Sequence, residues 1–146
     1  MPTTTKTAEA MPAITIWQPW ASMIAAGIKT IETRTHSGFA SLKGKRIAIH
    51  AGKKFDPVWR SEDALLDLAG AGMCDRPEQY PQGAVVATAL VHDARRLHGD
   101  DQDRACCVIR GIMYGLILTD IQPVTPPVPA KGRQGIWLWE GGAVCH

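Results

Sequence analysis

No run of roughly 18 apolar residues occurs in this chain, so no transmembrane helix is expected. Its first residues, Met1 to Ala10, are polar and threonine-rich and lack the apolar stretch of a secretory signal. They read as a disordered tail covering residues 1–12, with Met11 an alternative start. Cysteines at zinc spacing are missing: Cys74, Cys106, Cys107 and Cys145 form no Cys-x-x-Cys, and two of them are adjacent. Without an export signal, reduced thiols and a cytoplasmic location are expected. The GxxxxGK[ST] phosphate loop, the GxSxG elbow, the HExxH helix and the EF-hand loop are all absent. No internal repeat is visible. The net charge is only +2, which argues against a protein that coats DNA in bulk.

A chain of 146 residues suits one domain with one core, expected to span residues 13–146. The small net charge hides a segregation. Met1 to Arg60 carries nine Lys/Arg against Glu9, Glu32 and Asp56, a balance of +6. Ser61 to Ala130 carries five Arg against ten Asp/Glu, a balance of −5, and the remainder adds +1. A basic first part points to a local anionic partner, unless these charges merely solvate the surface.

Hydrophobic periodicity gives the elements. Ile14 to Trp17 reads as a strand, followed by a short helix from Pro19 to Ala26 with Gly27 at its end. Thr30 to Thr35 and Arg46 to Ala51 read as strands. Asp56-Pro57 reads as the cap of a helix from Val58 to Ala69. Gly83 to Val91, Tyr114 to Ile121 and Gly135 to Trp139 complete the strands. Arg95 to Arg104 reads as irregular, and Gln122 to Ala130, with four prolines, as extended but poorly paired. Strands and helices do not alternate regularly. The fold class expected is therefore α+β, mainly β: a small, mostly antiparallel barrel of about six strands with peripheral helices.

Four groups carry chemistry. Lys29, Glu32 and Arg34 follow a glycine turn, with Glu32 and Arg34 on one strand face. Two cations and a carboxylate can face an anion: Lys as a point charge, Arg as a fork, Glu32 as orienter or proton acceptor. The same spacing also fits a surface ion pair. Trp17 can stack a base and Gln18 can bond a base edge, while Trp20 fits a buried helix face. His50 can act as general acid/base or as a structural hydrogen-bonder, and Lys53 and Lys54 follow it as a basic loop. Lys131 and Arg133 sit among glycines that let backbone approach a ligand.

Gly27-x-Lys29-x-x-Glu32-x-Arg34 resembles the GxKxxExR signature of the ASCH (activating signal cointegrator homology) domain. Three further stretches resemble bacterial and phage-type members: Trp17-Gln18-Pro19-Trp20-Ala21, Ile49-His50-Ala51-Gly52-Lys53, and Lys131 to Trp137. The resemblance implies a PUA-like barrel, with the signature lining a cleft that takes single-stranded RNA, a nucleotide or a nucleoside. It implies either ribonuclease action, an amidohydrolase deacylating N4-acetylcytidine, or a reader that only binds. Lys29, Glu32 and His50 are then the catalytic candidates, and Trp17, Gln18, Arg34, Lys53, Lys54, Lys131 and Arg133 the binding ones. Metal ligands are not implied; Mg2+ on Glu32 is the one cofactor that RNA cleavage would call on. The amidohydrolase type uses a Lys, a Thr and a distal Glu. Lys29 matches the first, Glu32 stands at the Thr position, and only Asp93 follows the strand that would carry the last.

Overall fold

In β1 (Met11–Gln18) the side chains alternate: Ile14, Ile16 and Gln18 are buried, while Thr15 is half-buried and Trp17 exposed. This period of two sends the isoleucines to the core and leaves Thr15 and Trp17 for the other face. The computed structural model describes residues 10–141. After β1 come α1 (Trp20–Ala25), β2 (Ile31–Arg34), β3 (Arg46–Phe55), α2 (Glu62–Gly70), β4 (Ala84–Arg96), α3 (Gln102–Ala105), β5 (Tyr114–Pro129) and β6 (Trp137–Trp139). The six strands make one sheet in the order β2-β5-β4-β3-β1-β6. β1 and β3 run parallel and every other pair is antiparallel. The mainly-β, six-stranded expectation holds, but the sheet stays open, with β2 and β6 as its two edges.

The main core joins β1, β3, β4 and β5 through Ile14, Ile16, Ile47, Ile49, Val91 and Leu118, and Ile24 of α1 closes over it. Each fully buried aliphatic side chain contributes about 1.5–3 kcal/mol relative to exposure. α1 ends at a left-handed Gly27 (φ +78°), where the Ile28 and Lys29 amides both return to the Met23 carbonyl, at 3.0 and 3.1 Å. That turn carries the chain inward, so Lys29 arrives inside the protein.

Several boundaries differ from the sequence reading. Met11 and Pro12 belong to β1, not to a tail, because they pair with Trp139 and Leu138; Ala10 is exposed and outside the strand, and residues 1–9 lie outside the described residues. α2 starts later than Val58. Ser61 caps it by accepting the Ala64 amide at 3.2 Å, whereas Asp56 caps a separate 3-10 turn, Pro57–Trp59. β4 runs on to Arg96, since its last residues pair with the start of β5. The proline stretch of β5 is also paired, with Ala87 opposite Pro123 and Ala84 opposite Pro129. β2 is only four residues long, so this part of β5 has an unpaired outer edge. Proline is tolerated there because its missing N–H can face outward.

Candidate functional site

The parallel pairing of β1 with β3 sets Thr15 beside His50. Past that point the strands carry Trp17 and Lys53, and the chain leaving β5 crosses in front with Lys131 and Arg133. Together with Arg34 at the end of β2, these residues line one broad cleft of about 1100 Å³. His36 and Phe39, from the turn after β2, complete its wall.

His50 is buried beneath this cleft. Its Nε2 lies 2.7 Å from the Ala130 carbonyl, an acceptor, so Nε2 carries the proton and donates. Nδ1 is then an acceptor and takes the Thr15 hydroxyl at 3.2 Å. The same hydroxyl oxygen accepts from Trp137 Nε1 at 3.1 Å. Burial pushes the His50 pKa down, only partly offset by the bond to Ala130, so the ring is neutral. Both nitrogens are engaged, and the ring holds the crossing segment instead of presenting a free base. Gly132 lies directly on it: a Cβ there would come within 2.5 Å of His50 Cε1. Thr15 was read from sequence only as part of a strand. The available signal was a polar residue between two isoleucines on a strand next to one bearing a histidine.

Lys29 and Glu32 are not a surface pair. Lys29 is 1% exposed and Glu32 6%. Lys29 Nζ donates to the Ala105 carbonyl at 2.5 Å, lies 3.8 Å from Glu32 Oε1, and sits 4.9 Å from the centre of the Trp20 ring. Glu32 Oε2 is 3.3 Å from Arg34, and Oε1 accepts the Thr33 amide at 3.1 Å. Arg34 rests on Phe39 at 4.5 Å, and its Nε is buried with no hydrogen-bond partner. The strand-face expectation for Glu32 and Arg34 thus appears as a direct contact.

A second, smaller pocket of about 260 Å³ adjoins the cleft, with Trp17 common to both. Trp20, Lys29, Glu32, Asp56 and Cys107 line it. Trp20, expected to be buried on its helix face, is only half-buried, and its Nε1 donates to Asp56 at 2.9 Å on the pocket wall. Asp56 was read from sequence only as a helix cap and Cys107 only as one of two adjacent cysteines; neither was a site candidate.

Two expected binding residues lie elsewhere. Gln18 is fully buried: its Nε2 donates to Ser22 and the Pro81 carbonyl at 2.8 and 2.7 Å, and its Oε1 accepts the Ser22 amide. Its amide therefore braces the β1–α1 junction and lines none of these cavities. Lys54 lies over the Trp17 ring at 4.0 Å and covers one face of it. Among the described residues, no three His, Cys, Asp or Glu converge as a metal cluster. Glu32 is flanked by two cations, a setting that disfavours Mg2+ there.

The protein-family model for the ASCH domain matches residues 14–122. No curated protein matches the chain in sequence. Among solved structures it is similar to ASCH from Zymomonas mobilis, with a TM-score of 0.52 and 18% identity over 81% of this chain and 72% of that one. Two mutants of that protein superpose at a TM-score of 0.50 with 18% identity, covering 81% and 86% of this chain and 74% and 76% of theirs. At this identity the likeness is one of fold.

Proposed function

The chain belongs to the ASCH domain family, whose PUA-like fold is an RNA-binding one, and from this we propose that its broad cleft binds a short stretch of single-stranded RNA. One observation carries the reading: Arg34, Lys53, Lys131 and Arg133, which lie far apart in sequence, all line the same cleft beside Trp17. Cations along a groove track phosphates, and an indole on its wall stacks a base. Binding is supported better than cleavage. The His50 nitrogens are both occupied and Glu32 is held between two cations, so neither is free to move a proton.

Fluorescence anisotropy with a labelled single-stranded RNA at low salt tests this, paired with gel analysis of the same RNA with and without Mg2+. Saturable binding is expected, weakened about tenfold by Lys53→Ala with Lys131→Ala, which is ~1.4 kcal/mol. The RNA should stay intact. No binding at low salt overturns the proposal, and shortening of the RNA that Glu32→Gln abolishes replaces it with a ribonuclease.

One observation favours a second reading, deacylation of an N4-acetylcytidine-type nucleoside. Lys29 and Glu32 face a pocket of about 260 Å³ that also holds a carboxylate, Asp56. Asp93, the acid nearest in sequence to the expected distal one, instead bonds Lys43 at 3.2 Å. Turnover of N4-acetylcytidine that Asp56→Asn abolishes would establish this reading; absence of turnover removes it.

A further inference from the structure

A third cavity, of about 140 Å³, opens on the far side of the Arg34–Phe39 contact. Arg34, His36 and Phe39 line both it and the broad cleft, so the two adjoin across these side chains. The partition between them is built from planar groups: the Arg34 guanidinium over Phe39 at 4.5 Å, and the His36 ring stacked on Phe39 at 5.4 Å. Tyr114, the cross-strand neighbour of Arg34, and Leu116 line it as well, together with the exposed Arg96.

We propose that this cavity takes the pyrimidine base of a nucleotide next to the one in the broad cleft. The inference rests on the RNA-binding reading of that cleft and adds a second subsite to it. Size comes first. A cavity of about 150 Å³ accommodates one benzene-sized ring, so a single six-membered heterocycle fits here and a fused purine protrudes. The lining comes second. Phenyl, phenol and guanidinium planes are the surfaces on which bases stack. The third point is the free donor. Arg34 Nε is buried without a partner, a costly state that a pyrimidine carbonyl O2 relieves once the guanidinium turns toward the cavity. Arg96 then supplies a cation for the linking phosphate. Arg95 does not compete, because both its terminal nitrogens bond Asp101 at 2.9 Å.

Calorimetry with uridine 5′-monophosphate, pUpU and pApA tests the subsite. pUpU should bind about tenfold tighter than the mononucleotide, and pApA should gain less than about threefold. Ala40→Trp and Ala94→Leu, at separate points on the cavity rim, should each erase the pUpU advantage and leave mononucleotide binding in place. In parallel, the amide signals of Ser37 and Gly115 in labelled wild-type protein should shift with pUpU but not with the mononucleotide. An advantage that survives both folded variants, an equal gain for pApA, or mononucleotide binding with no dinucleotide advantage overturns the subsite alone. Failure of every nucleotide and of longer RNA to bind overturns the RNA reading and the subsite with it.

Discussion

Lys29 is the residue whose environment changes most between sequence and structure. Its ammonium is almost fully enclosed, with one carbonyl, one carboxylate and one aromatic face around it. Removing one partner of a buried ion pair leaves the other charge uncompensated, which typically costs 3–5 kcal/mol. Glu32 keeps Arg34, so Lys29→Ala should lower stability by about 3 kcal/mol, at the low end of that range. Urea unfolding measures it; a loss below 1 kcal/mol would mean the ammonium is solvated. Any activity lost in that variant therefore has to be compared at equal folded fraction. His50 makes a prediction of different sign. Its folded pKa lies below 6.5, the unfolded value. Between the two the unfolded chain holds more protons, so stability declines as pH is lowered below about 6.5. The slope of Tm against pH should flatten in His50→Gln. An unchanged slope would assign the effect to another group.

The segment between β5 and β6 shows how elements are held in register by single groups. It has little regular structure, yet Ala130 donates to Gly83, its carbonyl accepts from His50, and Gly132 packs on the imidazole. Gly132→Ala puts a methyl into the ring, and overpacking of this kind costs about 1–3 kcal/mol. The expected result is a modest drop in Tm together with weaker RNA binding, because Lys131 and Arg133 flank the displaced residue. Normal affinity in this variant would show that these two cations do not need the loop's position. The elements themselves were largely legible. β1, α1, β2 and β3 lie within a few residues of where periodicity puts them. What was not legible was how far β4 and β5 extend. That length is decided by mutual pairing across the sheet, which a proline-rich or charged local sequence conceals.

At the scale of the molecule, charge segregation in the sequence becomes charge convergence in space, but only in part. Four cations line the cleft, while Lys29 is consumed internally and Lys54 lies on Trp17. Single-stranded binding loses roughly 0.7 in log–log salt slope for each phosphate neutralised. Four cations therefore give a slope near −3, and Lys53→Ala with Lys131→Ala should bring it to about −1.4. A slope steeper than about −5 would mean that RNA also crosses other basic surface.

Motif order determined the family and pointed to a candidate site, because glycine turns, a β-branched strand and the signature charges are local properties of the chain. Gly27 to Arg34 stood out as the candidate centre on those grounds. Its division of labour was not. Only the tertiary structure decided that Lys29 and Glu32 face a small inner pocket while Arg34 reaches the broad cleft. It alone decided that Gln18 and His50 are braces. Each of those outcomes depends on partners from distant segments (Ala105, Pro81, Ala130) that become neighbours when the sheet assembles. Burial and hydrogen bonding across such separations are set by packing, and packing is not written in the spacing of a motif.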